Sequence, residues 1–438
     1  MIGKIVMIIA LVVLVGFALY MLFTKEKLNL AYIKYMLYAY PFLGIDLLPS
    51  LFSIQIFDFV TICFLFFLYK RYNVQTATHS IYIILYLLFL LLIFIGVYFS
   101  EQITRDTFVA LFQLFTITVF IIILYQVLLF EKNAYYEILI GIRFLLIFSF
   151  VFLLLQVVIG PGFSFAKSEN INVAGGIAIR YPSFFQDPQK YAQFLSVLSF
   201  MVLLPAPKGY EFNKKQSVLL AVLSICALLL TGGRAGLGGW LVGFIVLVLL
   251  GDPINRFRLI IVLSVLASFV YLFQEQLPIF KRADLESSYI FRQLIWADAM
   301  LIHKNHPWFG IGIGNYANYV SLHNPDQFWI HNNEVTFYDH PESGYLKLLV
   351  EFGLPAFVVL LFMILYIIYQ NIYIYFKVKS IELVLYTAAI LSWLIGFYTV
   401  YSLGDVRIKL LIAIVVVLSF VLGKSNDLKV PHNTMIHV

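Results

Sequence analysis

Charged residues are scarce in this sequence. Lys, Arg, Asp and Glu make up only 12% of the 438 residues, while hydrophobic residues make up 62%. A soluble domain carries about twice that share of charge, so these few charged side chains could not cover a soluble protein of this size. The composition excludes a soluble globular enzyme. It predicts an all-α polytopic membrane protein, a bundle of transmembrane helices.

Cysteine is nearly absent as well, which excludes a disulfide framework. Cys63 and Cys226 both lie within apolar runs and are expected to be small buried residues. The eight histidines do not show metal-ligand spacing, so we expect neither a metal nor another cofactor. The net charge of +6 is spread over short loops, so no nucleic-acid partner is expected.

Apolar runs long enough to cross a membrane recur along the whole chain. The first, within "MIGKIVMIIALVVLVGFALYMLF", is expected to be a retained helix because no small-residue cleavage site follows it. We predict about 12 or 13 spans. They lie near residues 5–23, 29–49, 51–69, 79–99, 106–130, 138–160, 190–205, 216–231, 236–251, 259–274, 346–370, 381–401 and 408–423.

Basic residues in the short loops predict the orientation, because cytoplasmic loops are enriched in Lys and Arg. They occur in alternate loops, at Lys70, Arg71, Lys208, Lys214, Lys215, Arg256, Arg258, Lys377, Lys379, Lys424 and Lys429. The other loops then face outward. We expect four regions: helices over 1–160, helices over 161–274 with an outer loop at 161–189, a large periplasmic loop at 275–345, and helices with a cytoplasmic tail over 346–438.

The large outer loop is the most polar region of the chain and a candidate functional site. It holds five of the eight histidines, at positions 303, 306, 323, 331 and 340, and three of the five tryptophans. A connector needs only a few residues. A long loop rich in such side chains on a rigid bundle is a common place for function.

The stretch "DHPESGYLKLLVEFGLP" places polar residues where this loop enters an apolar run. Pro341 suits the first turn of a helix, with His340 as its cap and Glu342 in the first turn. Tyr345 would lie one turn further. These residues form either a well-capped helix start or part of an active site. Lys347 and Glu351 are spaced to form an ion pair within the helix.

Two other stretches suggest anion binding. In "LLLTGGRAGLGGWLVG", paired glycines predict a tight turn that presents Arg234 on the outer side, either as an interfacial anchor or as a phosphate or glycan ligand. In "RYPSFFQDPQKYAQFL", Asp187 and Pro188 predict a helix start flanked by Arg180 and Lys190. This is either ordinary capping or an anion site.

The stretch "SSYIFRQLIWADAMLIHKNHPWFGIGIGNY" predicts an amphipathic helix within the outer loop. One stripe is apolar, at Ile290, Leu294, Ala297 and Leu301. Arg292, Trp296 and His303 fall on the opposite face. The helix would lie along the membrane or over the bundle. Its glycine-rich tail lacks the strand–turn–helix context of a nucleotide-binding loop.

Together, these stretches resemble the O-antigen ligase and polymerase superfamily over roughly residues 160–370. The outer loop of that family ends in His-Asn-x-Tyr-Leu followed by Leu-x-Glu-x-Gly-Leu, and "YLKLLVEFGLP" fits the second part. Glu342 stands at the position of the family histidine, and His340 lies two residues earlier. The resemblance implies a GT-C-like helical fold, an undecaprenyl-diphosphate-linked glycan donor and no metal.

The resemblance also suggests roles for the candidate residues. Arg180, Arg234 and Arg292 would bind the diphosphate, with Lys190 beside them. His340 or Glu342 would orient or deprotonate the acceptor hydroxyl. Trp296, Trp308 and Trp329 would stack against sugars or anchor the interface.

Three functions follow from these expectations. The first is a polymerase of carrier-linked repeat units that builds an O-antigen or capsule. The second is a ligase that transfers glycan to lipid A-core or another acceptor, and the third is a polysaccharide transporter without enzymatic activity. Each would act in the bacterial inner membrane, with its site on the periplasmic side. The expected partners are the lipid-linked glycan, the bilayer and other polysaccharide assembly proteins.

Overall fold

The computed structural model describes the chain in segments separated by gaps. These are residues 2–24, 27–48, 52–69, 81–131, 133–160, 163, 180–205, 214–251, 256–257, 260–261, 264–265, 268, 271–275, 285–323, 328–331, 334–337 and 340–427. The predicted span at 259–274 is therefore described only in part, and most of the outer loop at 161–189 lies outside the described residues.

The described segments form fourteen α-helices, which confirms the predicted all-α fold class. In chain order they are α1 (Ile2–Phe23), α2 (Leu28–Tyr38), α3 (Ile56–Tyr69), α4 (Ile81–Tyr98), α5 (Arg105–Phe130), α6 (Ala134–Ile159), α7 (Pro188–Met201), α8 (Lys214–Thr231), α9 (Arg234–Leu250), α10 (Leu285–Asn305), α11 (Tyr316–His323), α12 (Gly344–Val378), α13 (Ile381–Phe397) and α14 (Val406–Asp427).

Six described helices are long and apolar enough to cross a membrane: α4, α5, α6, α8, α12 and α14. Shorter apolar stretches lie in α1, α3, α9 and α13. Large apolar side chains such as Leu87, Leu91 and Phe94 on α4 are exposed on the surface of the bundle. An apolar exterior of this kind is suited to a lipid environment, and the chain is a multi-pass membrane protein.

The predicted spans at 29–49 and 51–69 are both shorter than expected. Helix α2 ends at Tyr38, and a 3-10 turn over Tyr40–Phe42 contains Pro41, which lacks the N–H that a continuing helix needs. Strands β1 (Asp46–Leu48) and β2 (Phe52–Gln55) then form an antiparallel hairpin. A second hairpin, β3 (Phe328–His331) with β4 (Glu334–Phe337), lies in the loop before α12.

Helices α7, α9 and α13 form the tightly packed centre of the bundle. Nearly every side chain of α7 is buried. Glycines bring α9 and α13 close together, since a Cβ at Gly239 would overlap the Ser392 carbonyl oxygen and one at Gly243 would approach the Ala388 carbonyl oxygen. Small residues at helix crossings allow this approach in membrane bundles.

Helix α12 is broken near its start, at Gly353 and Pro355. Gly353 has φ 73° and ψ 170°, outside the helical range. The break leaves helix carbonyls without helical partners, and the outer loop supplies donors. Ile311 N–H donates to the Val350 carbonyl oxygen (3.0 Å), and Gly312 N–H donates to that of Glu351 (3.1 Å). The loop is thus fixed to the first part of α12 by backbone hydrogen bonds.

Candidate active site

The candidate residues gather at one end of the bundle, where α8 and α13 finish and α7, α9, α12 and α14 begin. We call this the site end. Contacts between distant parts of the chain hold it together. A Cβ at Gly344, the first residue of α12, would overlap the Phe397 ring at the end of α13. Tyr345 donates a hydrogen bond to the Leu394 carbonyl oxygen (2.8 Å).

The predicted start of α7 is confirmed. Asp187 is the cap residue, and its side chain accepts a hydrogen bond from the Gln189 N–H (2.8 Å), with Pro188 as the first helical residue. The sequence predicted this cap residue followed by proline, and the structure adds that the cap backbone is extended. Lys190 follows in the first turn, partly exposed.

The glycine turn between α8 and α9 lies beside two of the predicted arginines, Arg180 and Arg234. Gly232, at φ 64°, and Gly233 connect α8 to α9, and Arg234 is the first residue of α9. Arg180 Nε donates to the Thr231 carbonyl oxygen (2.8 Å), and its side chain packs against Gly232. Chain segments separated by about fifty residues are thus in contact, and both arginines lie beside the start of α7.

The predicted cap of α12 is wrong. The helix begins at Gly344 with Ser343 as its cap residue, so His340 is not the cap and Glu342 is not in the first turn. Pro341 precedes the helix, and Glu342 adopts a left-handed conformation with φ 53°. The reason is tertiary, because the Cα of Gly344 must lie against Phe397, which fixes where the helix can start.

Arg292 on α10 holds the Glu342 side chain. Its guanidinium donates to Glu342 Oε2 over 3.2 Å, and both side chains remain partly exposed. Non-glycine residues rarely have positive φ, and such residues concentrate at functional sites. Glu342 is therefore a carboxylate with fixed position at the rim of the site end. The predicted diphosphate ligand Arg292 is its partner.

His340, two residues before Glu342, contacts a different group. Its ring lies 5.8 Å from that of Tyr401, in the connection between α13 and α14. Lys347 Nζ lies 5.0 Å from the Tyr401 ring centre and 3.2 Å from Glu351 Oε1, so the predicted ion pair forms. Glu351 also accepts a hydrogen bond from the Tyr316 N–H (3.2 Å), which ties α11 to α12.

Sequence reasoning missed three charged residues in "YSLGDVRIKLL". Arg407 donates from Nη2 to Asp405 Oδ2 (2.6 Å) and from Nη1 to the Phe184 carbonyl oxygen (2.5 Å), and both side chains are buried. Lys409 donates to Gln113 Oε1 (2.8 Å) on α5. The available signal was ionisable residues at the start of a predicted span, which usually face the interior of the bundle.

The Asp405–Arg407 pair links the start of α14 to the segment before α7. Burial would raise the pKa of the Asp405 carboxyl, but the Arg407 guanidinium outweighs burial and, with Lys190, lowers that pKa below its ordinary value. Asp405 is therefore ionised and neutralises Arg407 within the fold. Such a pair is costly to break, because either partner alone would be a buried charge.

Helix α10 buries Ile295, Ala299 and Ile302 against the bundle and exposes the predicted apolar stripe. Arg292 reaches Glu342, and the Trp296 ring lies 5.5 Å from that of Tyr398. Its exposed residues include Ile290, Leu294 and Leu301. The helix therefore lies over the site end, one of the two predicted arrangements. Trp308 is exposed, and the Trp329 side chain is outside the described residues.

Two outer-loop histidines lie at a separate place and fix α11. His306 Nε2 lies 3.4 Å from Glu101 Oε1, and His323 Nε2 lies 3.3 Å from Glu101 Oε2. Glu101 belongs to the connection between α4 and α5. His303 has lost part of its hydration, so burial lowers the pKa of its imidazole.

A comparison with protein families gives a match that covers part of this site. Residues 219–361 match the family described as O-antigen ligase. The matched segment includes Arg234, Arg292, His340 and Glu342, whereas Lys190 and Lys409 lie outside it. A search of curated proteins finds no match. The family match confirms the resemblance to the O-antigen ligase and polymerase superfamily.

Proposed function

Because residues 219–361 form an O-antigen ligase family segment in a multi-pass membrane protein, we propose that the chain is a glycosyltransferase that polymerises carrier-linked repeat units. The donor would be a glycan on a polyprenyl diphosphate such as undecaprenyl diphosphate. The product would be a surface polysaccharide, an O-antigen or a capsule. The observation that carries the proposal is the fixed Glu342 carboxylate at the same end of the bundle as Arg180, Arg234 and Lys190.

Cations at the site end suit the leaving group of this reaction. As the glycosidic bond to the carrier breaks, negative charge grows on the departing diphosphate. Arg180 and Arg234 lie at the α8–α9 turn, and Lys190 lies in the first turn of α7. Fixed cations placed where charge develops lower the barrier without reorganising. Guanidinium groups also match phosphate oxygens in two-pronged contacts.

Glu342 suits the role of general base. In the proposed step, the acceptor hydroxyl oxygen forms a bond to the anomeric carbon of the donor glycan. The bond from that carbon to the diphosphate oxygen breaks, and the diphosphate leaves with the electron pair. The hydroxyl proton passes to the Glu342 carboxylate. Arg292 would orient that carboxylate, and His340 would contact the acceptor from the Tyr401 side.

Ligase activity toward lipid A-core or another acceptor is the alternative, since it would use the same donor site. Transporter function is third. A transporter places its polar groups near the middle of the membrane, whereas Arg234, Glu342 and Lys190 lie at helix starts.

The test is the product that the purified protein makes in nanodiscs. Carrier-linked repeat units are supplied alone or together with lipid A-core, and products are separated by size on gels. Polymerase activity gives a ladder of carrier-linked glycans from repeat units alone. Product formed only on lipid A-core would support the ligase and contradict polymerisation, and no covalent product in either mixture would contradict both. Glu342→Gln should make no product, while Glu101→Gln on the α4–α5 connection serves as the matched carboxylate control.

A further inference from the structure

Helix α10 has an apolar stripe that the residues described by the structure leave largely uncovered. Ile290, Leu294 and Leu301 are 51%, 62% and 54% exposed, and Ala297 between them is exposed as well. The opposite side of the helix packs against α11 and the first part of α12. Contiguous apolar surface of this kind marks a contact with a membrane or with another protein. The surroundings of the helix indicate which of the two covers the stripe.

The chain that follows α10 is fixed where α12 enters the membrane. Before its break at Gly353, α12 contains a buried ion pair, and after the break it continues as a long apolar run. The Leu354 N–H donates to the Pro307 carbonyl oxygen (2.9 Å). A Cβ at Gly353 would overlap the Trp308 carbonyl oxygen. The residues just after α10 therefore lie at the boundary of the α12 span.

An exposed aromatic group marks this boundary. Trp308 is 64% exposed, and the next residue, Phe309, stacks on Phe99 at the end of α4 with ring centres 5.0 Å apart. Phe99 is itself 60% exposed, and so in part is Leu354 on α12. Tryptophan and other aromatic side chains concentrate where a membrane meets water. Trp308 is thus continuous with the lipid-facing surfaces of α4 and α12.

The bilayer that covers α4 and α12 can also cover the stripe. The stripe leads along α10 toward Trp308, and its four residues carry no charge. Lys304, which is exposed at the end of the helix, can extend its ammonium group to the headgroups while its methylenes stay beside the stripe. Continuity with a surface already in lipid favours the bilayer over a second copy of the chain or another protein.

We propose that α10 is an interfacial helix whose stripe inserts between the headgroups and acyl chains of the leaflet at the site end. Arg292, on the buried side of the same helix, holds the Glu342 carboxylate over 3.2 Å. Insertion of α10 therefore sets the height of Glu342 relative to the membrane surface. The insertion stands without the proposed function, whereas its consequence for a lipid-linked substrate at Glu342 rests on the proposed function.

The first experiment measures thiol reactivity in the purified full-length protein, with Cys63 and Cys226 replaced by alanine. Single-cysteine variants are placed in phosphatidylcholine nanodiscs at one copy per disc and treated with a charged maleimide. Leu294→Cys should react at least about 10-fold more slowly than Gln293→Cys, because a thiol in apolar surroundings does not form the reactive thiolate. Gln293 is the matched control, since it is the neighbouring exposed residue and lies off the stripe.

The two variants should react at the same rate once the protein is denatured, which excludes a difference in the thiols themselves. Equal rates in the folded protein mean that the stripe lies in water and overturn the proposal. Protection of Leu294→Cys that appears only in discs with two copies assigns the stripe to self-association and overturns it too.

The second experiment tests contact with lipid directly. The extra fluorescence of Leu294→Trp over the wild type should be strongly quenched by phosphatidylcholine brominated on its acyl chains, and that of Gln293→Trp only weakly. Equal weak quenching contradicts insertion. Neither measurement uses a glycan, so insertion without glycan transfer would keep the membrane contact and refute the proposed function. Glycan transfer with a reactive, unquenched stripe would do the reverse.

Discussion

At the scale of single residues, Glu342 combines three features that structural packing alone does not require. It has positive φ, it is the partner of Arg292, and it lies immediately before the cap of α12. Its side chain is 35% exposed and that of Arg292 is 23% exposed, so their ion pair is partly solvated. Such a pair stabilises a fold by at most about 1 kcal/mol. A catalytic role for Glu342 would have a far larger effect on activity than this.

We therefore predict that Glu342→Gln lowers glycan transfer by about 100- to 10,000-fold at a normal protein level. His340→Ala is compared with it in the same membranes, with product measured per amount of folded protein. Loss of activity in Glu342→Gln alone means that the carboxylate has replaced the family histidine. Loss in His340→Ala alone means that the histidine acts from its shifted position. If both variants transfer glycan normally, this loop is not part of the catalytic centre.

Arg234 is expected to act through the shape of its guanidinium as well as its charge. Arg234→Lys should lose most glycan transfer because an ammonium cannot make a planar two-pronged contact with phosphate. Arg105→Lys is the matched control, since Arg105 is also the first residue of a helix, α5. Glycan amount and length are compared at equal expression. If the Arg234→Lys variant is active, Arg234 is an interfacial anchor and not a phosphate ligand.

At the scale of helices, the site end depends on how closely α9 and α13 approach. The two helices cross through glycines of α9, and α13 then carries Phe397 to the start of α12. Displacing α13 would move Phe397, and with it the point at which α12 begins. The position of Glu342 is thus a consequence of helix packing some distance from it.

Adjacent glycines of α9 provide a test with an internal control. A Cβ at Gly239 would overlap the Ser392 carbonyl oxygen, whereas one at Gly238 meets no atom within 4 Å. Gly239→Ala should destabilise the protein by about 1–3 kcal/mol through overpacking. Gly238→Ala should be neutral or stabilising by up to about 1 kcal/mol, because alanine favours helix. The melting temperatures of the two variants and the wild type are compared in detergent. Equal melting temperatures would contradict the tight α9–α13 contact.

At the scale of the whole molecule, the proposed mechanism requires the site end to face away from the cytoplasm. We predict that Lys304→Cys, exposed at the end of α10, reacts with a membrane-impermeant thiol reagent in intact spheroplasts. Cys63 and Cys226 are first replaced by alanine. Lys214→Cys, at the start of α8 on the opposite end, should react only after lysis. The reverse pattern would invert the orientation and exclude a periplasmic site.

The sequence predicted the fold class and most of the membrane helices well, and the site only in part. Hydropathy and cap residues are local properties, so the start of α7 at Asp187 and Pro188 could be identified from neighbouring residues alone. The same local rules failed at α12. They placed its start at Pro341, whereas contact between Gly344 and Phe397 moves it to Gly344. The pairing of strands 46–48 and 52–55 was missed because their Leu, Phe and Ile residues continue the apolar runs of the adjoining helices.

The sequence by itself thus determined that this chain is a membrane-embedded helical bundle with its reactive side chains near helix starts, since burial in lipid demands long apolar helices. Only the tertiary structure decided which of those side chains meet. Arg180 packs against the α8–α9 turn, and the His340 ring lies near that of Tyr401. Arg292 forms an ion pair with Glu342. These pairs join segments far apart in the chain, and their contacts arise from helix packing, which no local pattern encodes.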